Sequence, residues 1–363
     1  MTISRTDPAP PGRAALVGMG LIGGSIGLAL RRAGWTVTGV DRDERTAARA
    51  LELGVVDAIG LDPDAQVTFI ATPVGAVPVA ALAALETCTG AVTDVAGVKA
   101  SVVRAVDHPR FVGGHPMAGS EVDGVDGADA DLFRNAVWVL TPTPRTDPDA
   151  FGAVHAAVAA TGAEVVAIDP ADHDAIVAVV SHVPHLTAAA LMVVADGHAR
   201  AQPGPLLRLA AGGFRDMTRI AAGTTAIWPD VCADNAEAIT AVLDELISEL
   251  QRTRSVVAGR ARGDLVGMLE RARAARQALP GRVARPAGEA VELRIPVPNR
   301  EGVLADVTTL ATRLGVNIEA LETADATEHE GGLIVMVVAA DGGRRLRDAL
   351  VERGYRPVIR AVE

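Results

Sequence analysis

Lysine and cysteine are both scarce in this 363-residue sequence. Lys99 is the single lysine among 34 basic residues, and the formal net charge of −11 comes without a clustered basic stripe. This charge balance argues against a nucleic-acid partner. Cys88 and Cys232 are too few and too isolated for a disulfide framework or a zinc site. Neither a nucleic-acid-binding protein nor a disulfide-stabilised one is therefore expected.

A long uninterrupted apolar run is also missing. The N-terminal residues MTISRTDPAPPGR contain no apolar core, so we expect no signal peptide. The most apolar long stretch, Ala175–Ala195, is interrupted by His182, Pro184 and His185, which favours a buried helix over a membrane span. The sequence therefore predicts a soluble, cytoplasmic protein with no membrane partner.

Residues 14–41, AALVGMGLIGGSIGLALRRAGWTVTGVD, predict a strand, a glycine-rich turn, a helix and a second strand. In this dinucleotide-binding pattern Gly18 permits the tight turn, Gly20 lets the backbone approach a pyrophosphate, and Gly23 lets the helix pack closely on its strand. The free N–H groups at the start of the helix then face the phosphates. The candidate nucleotide-binding residues of this turn are Gly18, Gly20, Leu21, Ile22 and Gly23.

The choice of cofactor depends on Asp41, which lies 23 residues after Gly18. A carboxylate at this distance accepts hydrogen bonds from the free ribose hydroxyls of NAD and repels the 2′-phosphate of NADP. Arg42 and Arg45 follow closely and leave NADP as the alternative. The other reading of the segment, a glycine-rich turn in a domain that binds no nucleotide, does not explain the spacing of Asp41.

The order of strand and helix patterns indicates three domains, and the chain length predicts two or three. Strands alternate with helices over residues 1–170, which predicts an α/β Rossmann dinucleotide-binding domain with a parallel sheet. Residues 171–280 contain helical patterns only, and their many Ala and Val residues predict an all-α substrate and dimerisation domain that forms a homodimer. After a Pro/Gly-rich linker at 281–288, residues 289–363 follow the order βαββαβ of a small ferredoxin-like domain.

Two polar segments lie where strands of the predicted parallel sheet end. They are 93–99 (TDVAGVK) and 113–121 (GGHPMAGSE). Ligands of open α/β sheets bind beyond the carboxyl ends of the strands. His115 lies just past a strand in a loop rich in Gly and Pro, where packing explains a histidine poorly. We therefore expect His115 to be functional.

A third polar group lies in the helical domain, where His182 and His185 share a helix face. Zinc binding is one reading, but no third ligand cluster with suitable spacing accompanies them. Polar contacts to a substrate and satisfied core histidines are the other readings. Arg219 is suited to clamp a carboxylate bidentately, and its alternative is a structural ion pair with Asp216.

The motifs GMGLIGGS, DVAGVK, GGHPMAGSE, HD-x(6)-SHVPH, GFRDMTRIA and IWPDV occur in this order. Together they resemble the prephenate/arogenate dehydrogenase family of tyrosine biosynthesis, over residues 14 to about 280. The C-terminal segment IPVPNREGVLADVTTLATRLGVNIEAL resembles an ACT domain, a module that binds small amino acids at paired interfaces. The two resemblances imply an NAD-dependent prephenate dehydrogenase that an aromatic amino acid regulates.

The resemblance also implies residue roles. His115 matches the family's catalytic histidine, which accepts the proton of the substrate's ring hydroxyl. Arg219 matches the arginine that holds a substrate carboxylate, and His185 matches a histidine of the same pocket. The reaction needs no metal and no nucleophile. The other residues matched to the substrate pocket are Ser120, Glu121, Asp216 and Trp228, and those expected on the nicotinamide side are Thr72 and Lys99.

Gly97 departs from the family pattern, which usually has a serine there whose hydroxyl hydrogen-bonds the catalytic histidine. Either a water, Ser101 or a backbone group orients His115 instead, or the activity is weakened. The reaction class does not depend on this detail.

Several alternatives remain open. L-Arogenate is the alternative substrate, and a non-enzymatic sensor of NAD and amino acids is the alternative function. The C-terminal domain either binds an effector or only dimerises and stabilises the chain. The candidate effector residues are Asn299, Gly302, Asn317 and Ile318, the last two supplied by the paired subunit.

Overall fold

The computed structural model describes residues 12–120, 122–201, 209–279, 290–298, 300–325 and 331–361. The predicted linker at 281–288 lies outside the described residues, as do two predicted site residues, Glu121 and Asn299. The chain divides into two compact units, residues 1–255 and 256–363. The predicted domain boundaries near residues 170 and 280 stay a prediction.

The first unit is built on an eight-stranded sheet. Its strands are β1 (Arg13–Val17), β2 (Thr36–Val40), β3 (Ala58–Ile59), β4 (Val67–Ile70), β5 (Ala91–Asp94), β6 (Phe111–Pro116), β7 (Val137–Thr141) and β8 (Glu164–Ala167). They are arranged in the order β3-β2-β1-β4-β5-β6-β7-β8. Every neighbouring pair is parallel except β6 and β7. The prediction of an all-parallel sheet is therefore wrong at this pair, because the connection over residues 117–136 supplies no crossover helix in its described part.

Helices cover both faces of this sheet, as its alternating side chains require. They are α1 (Leu21–Arg32), α2 (Glu44–Glu52), α3 (Val77–Thr87), α4 (Ala100–Val106) and α5 (Pro148–Ala160). Successive residues of a strand point to opposite faces. Accordingly Phe69 belongs to the core shared with α1, α2 and α5, whereas its neighbour Ile70 belongs to the core shared with α3 and α4. The apolar strands are buried from both sides, which is typical of a parallel sheet.

The carboxyl ends of β1 to β6 meet at one edge of the sheet, and this edge collects the predicted site residues. Gly18 follows β1, Asp41 follows β2, Thr72 follows β4, and Asp94 ends β5. His115 was predicted in a loop, but it lies within β6, one residue before the strand ends. Three strand spacings separate β1 from β6, which is about 14 Å.

The described residues of the first unit beyond β8 are mostly helical. The helices are α6 (Pro170–Val177), α7 (Val183–Ala201), α8 (Gly212–Thr218), α9 (Trp228–Asp234) and α10 (Ala236–Ala258). Between α6 and α7, residues Ala178–His182 form a π-helical turn. Pro184 has no N–H and cannot continue the ordinary helical hydrogen bonding, so the chain widens before it. The described residues between Pro170 and Leu279 contain no strand, as predicted.

The apolar stretch Ala175–Ala195 is helical but is not the buried helix that was predicted. The continuous segment Pro170–Ala201 is long and apolar enough to cross a membrane by length and composition, and 28% of its most apolar window is buried. Val179, Val180, Val193 and Val194 are all exposed. A single chain therefore leaves much of this apolar surface uncovered.

The second unit contains helix α11 (Arg262–Gln277) and a small α/β sandwich. The elements of the sandwich are β9 (Ala290–Pro298), α12 (Val303–Arg313), β10 (Ile318–Asp325), β11 (Gly331–Ala339), α13 (Ala340–Glu352) and β12 (Val358–Ala361). The four strands form an antiparallel sheet in the order β10-β11-β9-β12. Leu293, Ile295 and Met336 pack against Leu310 and Leu346 of the two helices. The predicted βαββαβ order is confirmed.

Candidate active site

The glycine turn between β1 and α1 combines close packing with open space. Gly18 has a φ of +92°, which favours glycine. A Cβ atom on Gly23 would lie 2.1 Å from the carbonyl oxygen of Gly18, so no larger residue fits there. A Cβ on Gly20 would meet nothing within 4 Å. The open side of Gly20 lies at the start of α1, where unpaired N–H groups favour an anion.

Asp41 is anchored beside this turn. Its Oδ2 accepts the backbone N–H of Met19 at 2.8 Å, and its Oδ1 accepts that of Asp43 at 3.0 Å. The side chain is partly accessible, and the following Arg42 is exposed. The carboxylate is thus fixed next to the turn, as the predicted ribose contact requires.

Two alanine substitutions distinguish the close packing at Gly23 from the open space at Gly20. We expect Gly23→Ala to destabilise the protein by about 1–3 kcal/mol, because its Cβ would overlap backbone. Gly20→Ala should leave the free energy of unfolding within about 0.5 kcal/mol while weakening nucleotide binding, since its Cβ would occupy the open space. Urea unfolding and calorimetric titration with NAD measure the two effects. Equal losses of stability in both variants would contradict this division.

His115 takes part in a hydrogen-bonded row of three side chains. Its Nδ1 lies 2.9 Å from Nε2 of His173, and Nδ1 of His173 lies 2.8 Å from Oδ1 of Asp174. The two imidazole rings meet edge to face, with centroids 5.1 Å apart. His173 is fully buried, while His115 is partly accessible. His115 is therefore held in place by the side chain of a buried residue.

Asp174 ties this row to the sheet edge. Its two oxygens accept the backbone N–H groups of Lys99 at 2.8 Å and Ala100 at 2.9 Å, where α4 begins. Burial by itself would raise the pKa of Asp174, but the hydrogen bonds from His173, Ala100 and Lys99 lower it overall. Asp174 is therefore held as a carboxylate. Sequence reasoning noted the pair His173-Asp174 within a motif but gave neither residue a role.

Lys99, which was predicted on the nicotinamide side, lies inside the protein at this edge of the sheet. Its side chain is fully buried, and its Nζ donates to the carboxylate of Asp94 and, at 2.7 Å, to the carbonyl oxygen of Gly114. Burial lowers the pKa of Lys99, against the opposing effect of Asp94. Lys99 therefore links β5 and β6 through a buried ammonium group near their carboxyl ends.

The surroundings of His115 favour a neutral imidazole. Burial lowers its pKa well below the usual range, and nearby Lys99, His173 and His182 add to this effect. A Cβ on Gly97 would lie 3.8 Å from Nε2 of His115. Ser101 does not orient the ring, because its buried hydroxyl has no hydrogen-bond partner among the described residues. Among the described residues, the hydrogen-bond partner of the His115 ring is the side chain of His173, a residue that was not among the predicted substitutes.

His185 and Trp228 lie together next to this network. Their rings are stacked, with centroids 3.8 Å apart and an angle of 19° between the planes. Trp228 also meets the ring of His182 edge to face. The amide nitrogen of Asn235 lies 3.2 Å from Nδ1 of His182 and donates to the backbone oxygen of Asp174 at 2.8 Å. Of the two predicted histidines, His182 is therefore a buried structural residue, and His185 is half-buried beside Trp228.

Arg219 and Asp216 line a cavity of about 670 Å³ between α7 and the segment 215–222. The lining of this cavity does not include His115, His185 or Trp228. Ser120 is exposed, and its hydroxyl accepts the N–H of Val122 at 3.2 Å. The hydroxyl of Thr72 is buried without a hydrogen-bond partner among the described residues. The substrate roles of these residues stay predictions.

The predicted effector residues lie in the second unit. Gly302 precedes α12 with a φ of +81°, Asn317 is exposed, and Ile318 begins β10. Asn299 lies outside the described residues. Effector binding by this set is not tested by the structure and stays a prediction.

Three family models match the chain. Residues 26–167 match the family described as prephenate dehydrogenase, nucleotide-binding domain, and residues 169–271 match prephenate dehydrogenase, dimerization domain. Residues 293–350 match the AHAS small subunit-like ACT domain. The predicted order of a Rossmann domain, a helical dimerisation domain and an ACT domain is confirmed.

Similar proteins agree with these matches. A prephenate dehydrogenase of Bacillus subtilis (strain 168) is 34% identical over 357 residues, which is 93% of this chain and 95% of the relative. The structure of prephenate dehydrogenase from A. aeolicus, solved with hydroxyphenyl propionate and NAD+, has a TM-score of 0.70 at 28% identity and covers 76% of this chain and 100% of its own. Synechocystis arogenate dehydrogenase has a TM-score of 0.64 at 32% identity, covering 73% and 98%.

Proposed function

The chain belongs to the prephenate dehydrogenase family, and from this premise we propose that His115 is the base of its reaction. That reaction is the oxidative decarboxylation of prephenate to 4-hydroxyphenylpyruvate, in tyrosine biosynthesis. When bound, NAD supplies the carbon that accepts the hydride. The observation that carries the proposal is the place of His115 at the sheet edge that also holds the glycine turn.

The residues present fit NAD. The open space at Gly20 and the start of α1 suit the pyrophosphate, and the anchored carboxylate of Asp41 suits the ribose hydroxyls. The same carboxylate disfavours the 2′-phosphate of NADP. We propose that Leu21, Ile22 and Arg42 border the nucleotide, with Thr72 on the nicotinamide side.

His115 takes one proton from the ring hydroxyl of the substrate and returns it to the product. Nε2 accepts the proton of the ring hydroxyl while the hydrogen on the same ring carbon leaves as a hydride. The bond from the ring to its carboxylate then breaks, CO2 departs, and the electron pair of that bond completes the aromatic ring. The resulting phenolate takes the proton back from His115. A neutral imidazole suits this exchange, and the lowered pKa of His115 provides it.

Other residues hold and enclose the substrate. We propose that Arg219 pairs with a substrate carboxylate and that His185, stacked on Trp228, contacts another part of the substrate. Ser120, Glu121 and Asp216 complete the proposed pocket. Lys99 acts indirectly, by holding the backbone of Gly114 next to His115.

Assays of the purified protein with prephenate and with L-arogenate, each with NAD and with NADP, test the proposed substrate and cofactor. We expect NADH production from prephenate with NAD to be fastest. Faster turnover of arogenate would instead support the second candidate function, which the similarity to Synechocystis arogenate dehydrogenase favours. No NADH from either substrate would leave a sensor as the function.

We also propose a homodimer in the cytoplasm. The helical domain exposes Val193 and Val194, and an apolar cavity of about 480 Å³ is lined by Val183, Leu191 and other residues of α7 and α10. A second copy would cover this surface, in keeping with the dimerization family that matches here. Sedimentation of a species with twice the chain mass would support the dimer.

The ACT domain is proposed to bind an aromatic amino acid. Gly302 gives the β9–α12 turn a left-handed backbone in which the effector's main chain can be held, and Asn317 and Ile318 of a paired subunit would complete the site. Tyrosine and phenylalanine should then change kcat or the thermal midpoint. A stabilising or dimerising role alone would leave both unchanged.

A further inference from the structure

We propose that His173 and Asp174 are positioning residues that fix the proton of His115 on Nδ1, in place of the serine hydroxyl that Gly97 lacks. This inference rests on the proposed role of His115 as the base. It concerns which nitrogen of His115 is free, and why the ring stays aligned without a side chain at position 97.

The order of donors and acceptors in the row determines the protonation of each ring. The carboxylate of Asp174 can only accept, so Nδ1 of His173 must carry the hydrogen that it donates across 2.8 Å. In a neutral His173, Nε2 then has a lone pair, which accepts the Nδ1–H of His115 across 2.9 Å. Nε2 of His115 is consequently left unprotonated. It is the nitrogen that the reaction needs as a base.

The free nitrogen faces Gly97. A Cβ at position 97 would lie 3.8 Å from Nε2 and 3.9 Å from Cε1 of His115. A hydroxyl on that Cβ would reach Nε2 within hydrogen-bond distance, whereas glycine leaves the space open. Among the described residues, the hydrogen-bond partner of the His115 side chain lies on the other side of the ring, where Nδ1 faces Nε2 of His173.

The His173–Asp174 pair is held in place at the start of α6 and at the start of α4. The side chain of Asp169 accepts the N–H of Ala171, and Pro170 starts α6, so the first turn that carries His173 is well defined. Asp174 bonds to the first backbone N–H groups of α4. When His115 takes the substrate's proton, the Nδ1–H bond remains, and the charge of Asp174 favours the imidazolium through His173.

Two substitutions at position 173 isolate the hydrogen bond to His115. The amide of His173→Asn reaches about as far as Nδ1 and keeps a partner for Asp174, but it has no atom at the position of Nε2. The amide oxygen of His173→Gln reaches that position and can accept from His115. We expect kcat of His173→Asn to fall by ~10²-fold with little change in KM, and that of His173→Gln to fall much less.

A second substitution tests the replacement of the hydroxyl. Gly97→Ser in the His173→Asn background should restore part of kcat, because a hydroxyl that donates to Nε2 in the substrate-free protein favours the same protonation of His115, and the substrate hydroxyl then takes its place at Nε2. His155→Asn, at an exposed histidine of α5, is the matched control. Equal kcat values for His173→Asn and the unmodified protein would overturn the inference while leaving the base itself to be tested by substitution of His115.

The protonation is measured directly by ¹⁵N–¹H correlation spectra of protein labelled at its eight histidines. The His115 signals are identified by their absence in His115→Asn. In the unmodified protein at neutral pH we expect a protonated Nδ1 and an unprotonated Nε2 for His115. A protonated Nε2 would contradict the inference whether or not the position 173 variants fold.

Discussion

Replacing His115 with asparagine lowers kcat for prephenate oxidation by about 10²- to 10⁴-fold, while NAD affinity is retained. The amide of asparagine extends about as far as Nδ1 of the imidazole, so it preserves the donor to His173. It supplies no group at the position of Nε2, and the ring hydroxyl loses its proton acceptor. NADH absorbance measures kcat, and calorimetric titration measures NAD binding.

His108→Asn is the matched control, because His108 lies just before the opposite end of β6 and its Nδ1 accepts the N–H of Arg110, a contact that asparagine can replace. We expect this variant to keep the activity of the unmodified protein. Near-normal kcat in His115→Asn would exclude His115 as the base. Loss of both kcat and NAD binding would point instead to a collapse of the sheet edge.

The pH profile gives a second readout of the same group. Because the pKa of His115 lies well below 6.5, its basic form persists below that pH. The value of kcat/KM should therefore stay level as pH falls to 6.5 and decrease only at lower pH, as His115 becomes protonated. Stability follows the same direction: the unfolded chain binds this proton first, so falling pH removes stability between the unfolded and folded pKa values. In His115→Asn the acidic decrease in residual activity should be lost.

The parts of the fold that were predicted correctly are those in which one contiguous segment contains the whole signal. The glycine turn, α1 and Asp41 fit within 28 residues, and each strand pattern is local. The antiparallel pairing of β6 with β7 was missed, because the direction of a strand depends on how the chain returns to the sheet. The alternation of helices and strands carries no information on that return.

The candidate site shows the same limit. His115 was identified from its local surroundings, whereas the role of His173 and Asp174 depends on α6 reaching the first turn of α4, which is 75 residues away along the chain. The buried contacts of Lys99 were not predicted, for a related reason. A lysine after a strand resembles a ligand contact until the structure shows Asp94 and the carbonyl oxygen of Gly114 around its Nζ.

Lys99→Met destabilises the first unit by about 3–5 kcal/mol, the largest effect on stability that we expect from a single substitution here. Methionine has a similar length and no charge, so the cavity is small and the main loss is electrostatic. The carboxylate of Asp94 remains fully buried, and its remaining donors among the described residues are the backbone N–H groups of Ala96 and Gly114. For a unit of this size the expected fall in thermal midpoint is about 6–20 °C, measured by calorimetry.

Arg104→Met provides the control, since it removes a cation from the exposed side of the same helix α4 and should change stability by about 0.5 kcal/mol or less. The double variant Lys99→Met/Asp94→Asn completes a mutant cycle and should recover part of the loss, because no unpaired charge is left. A Lys99→Met protein as stable as Arg104→Met would show that the buried pair contributes nothing. Nζ of Lys99 also donates to the carbonyl oxygen of Gly114, which is adjacent to His115. At temperatures below the melting range, kcat of Lys99→Met should therefore fall further than kcat of Arg104→Met. This difference would link the buried pair to the alignment of the base.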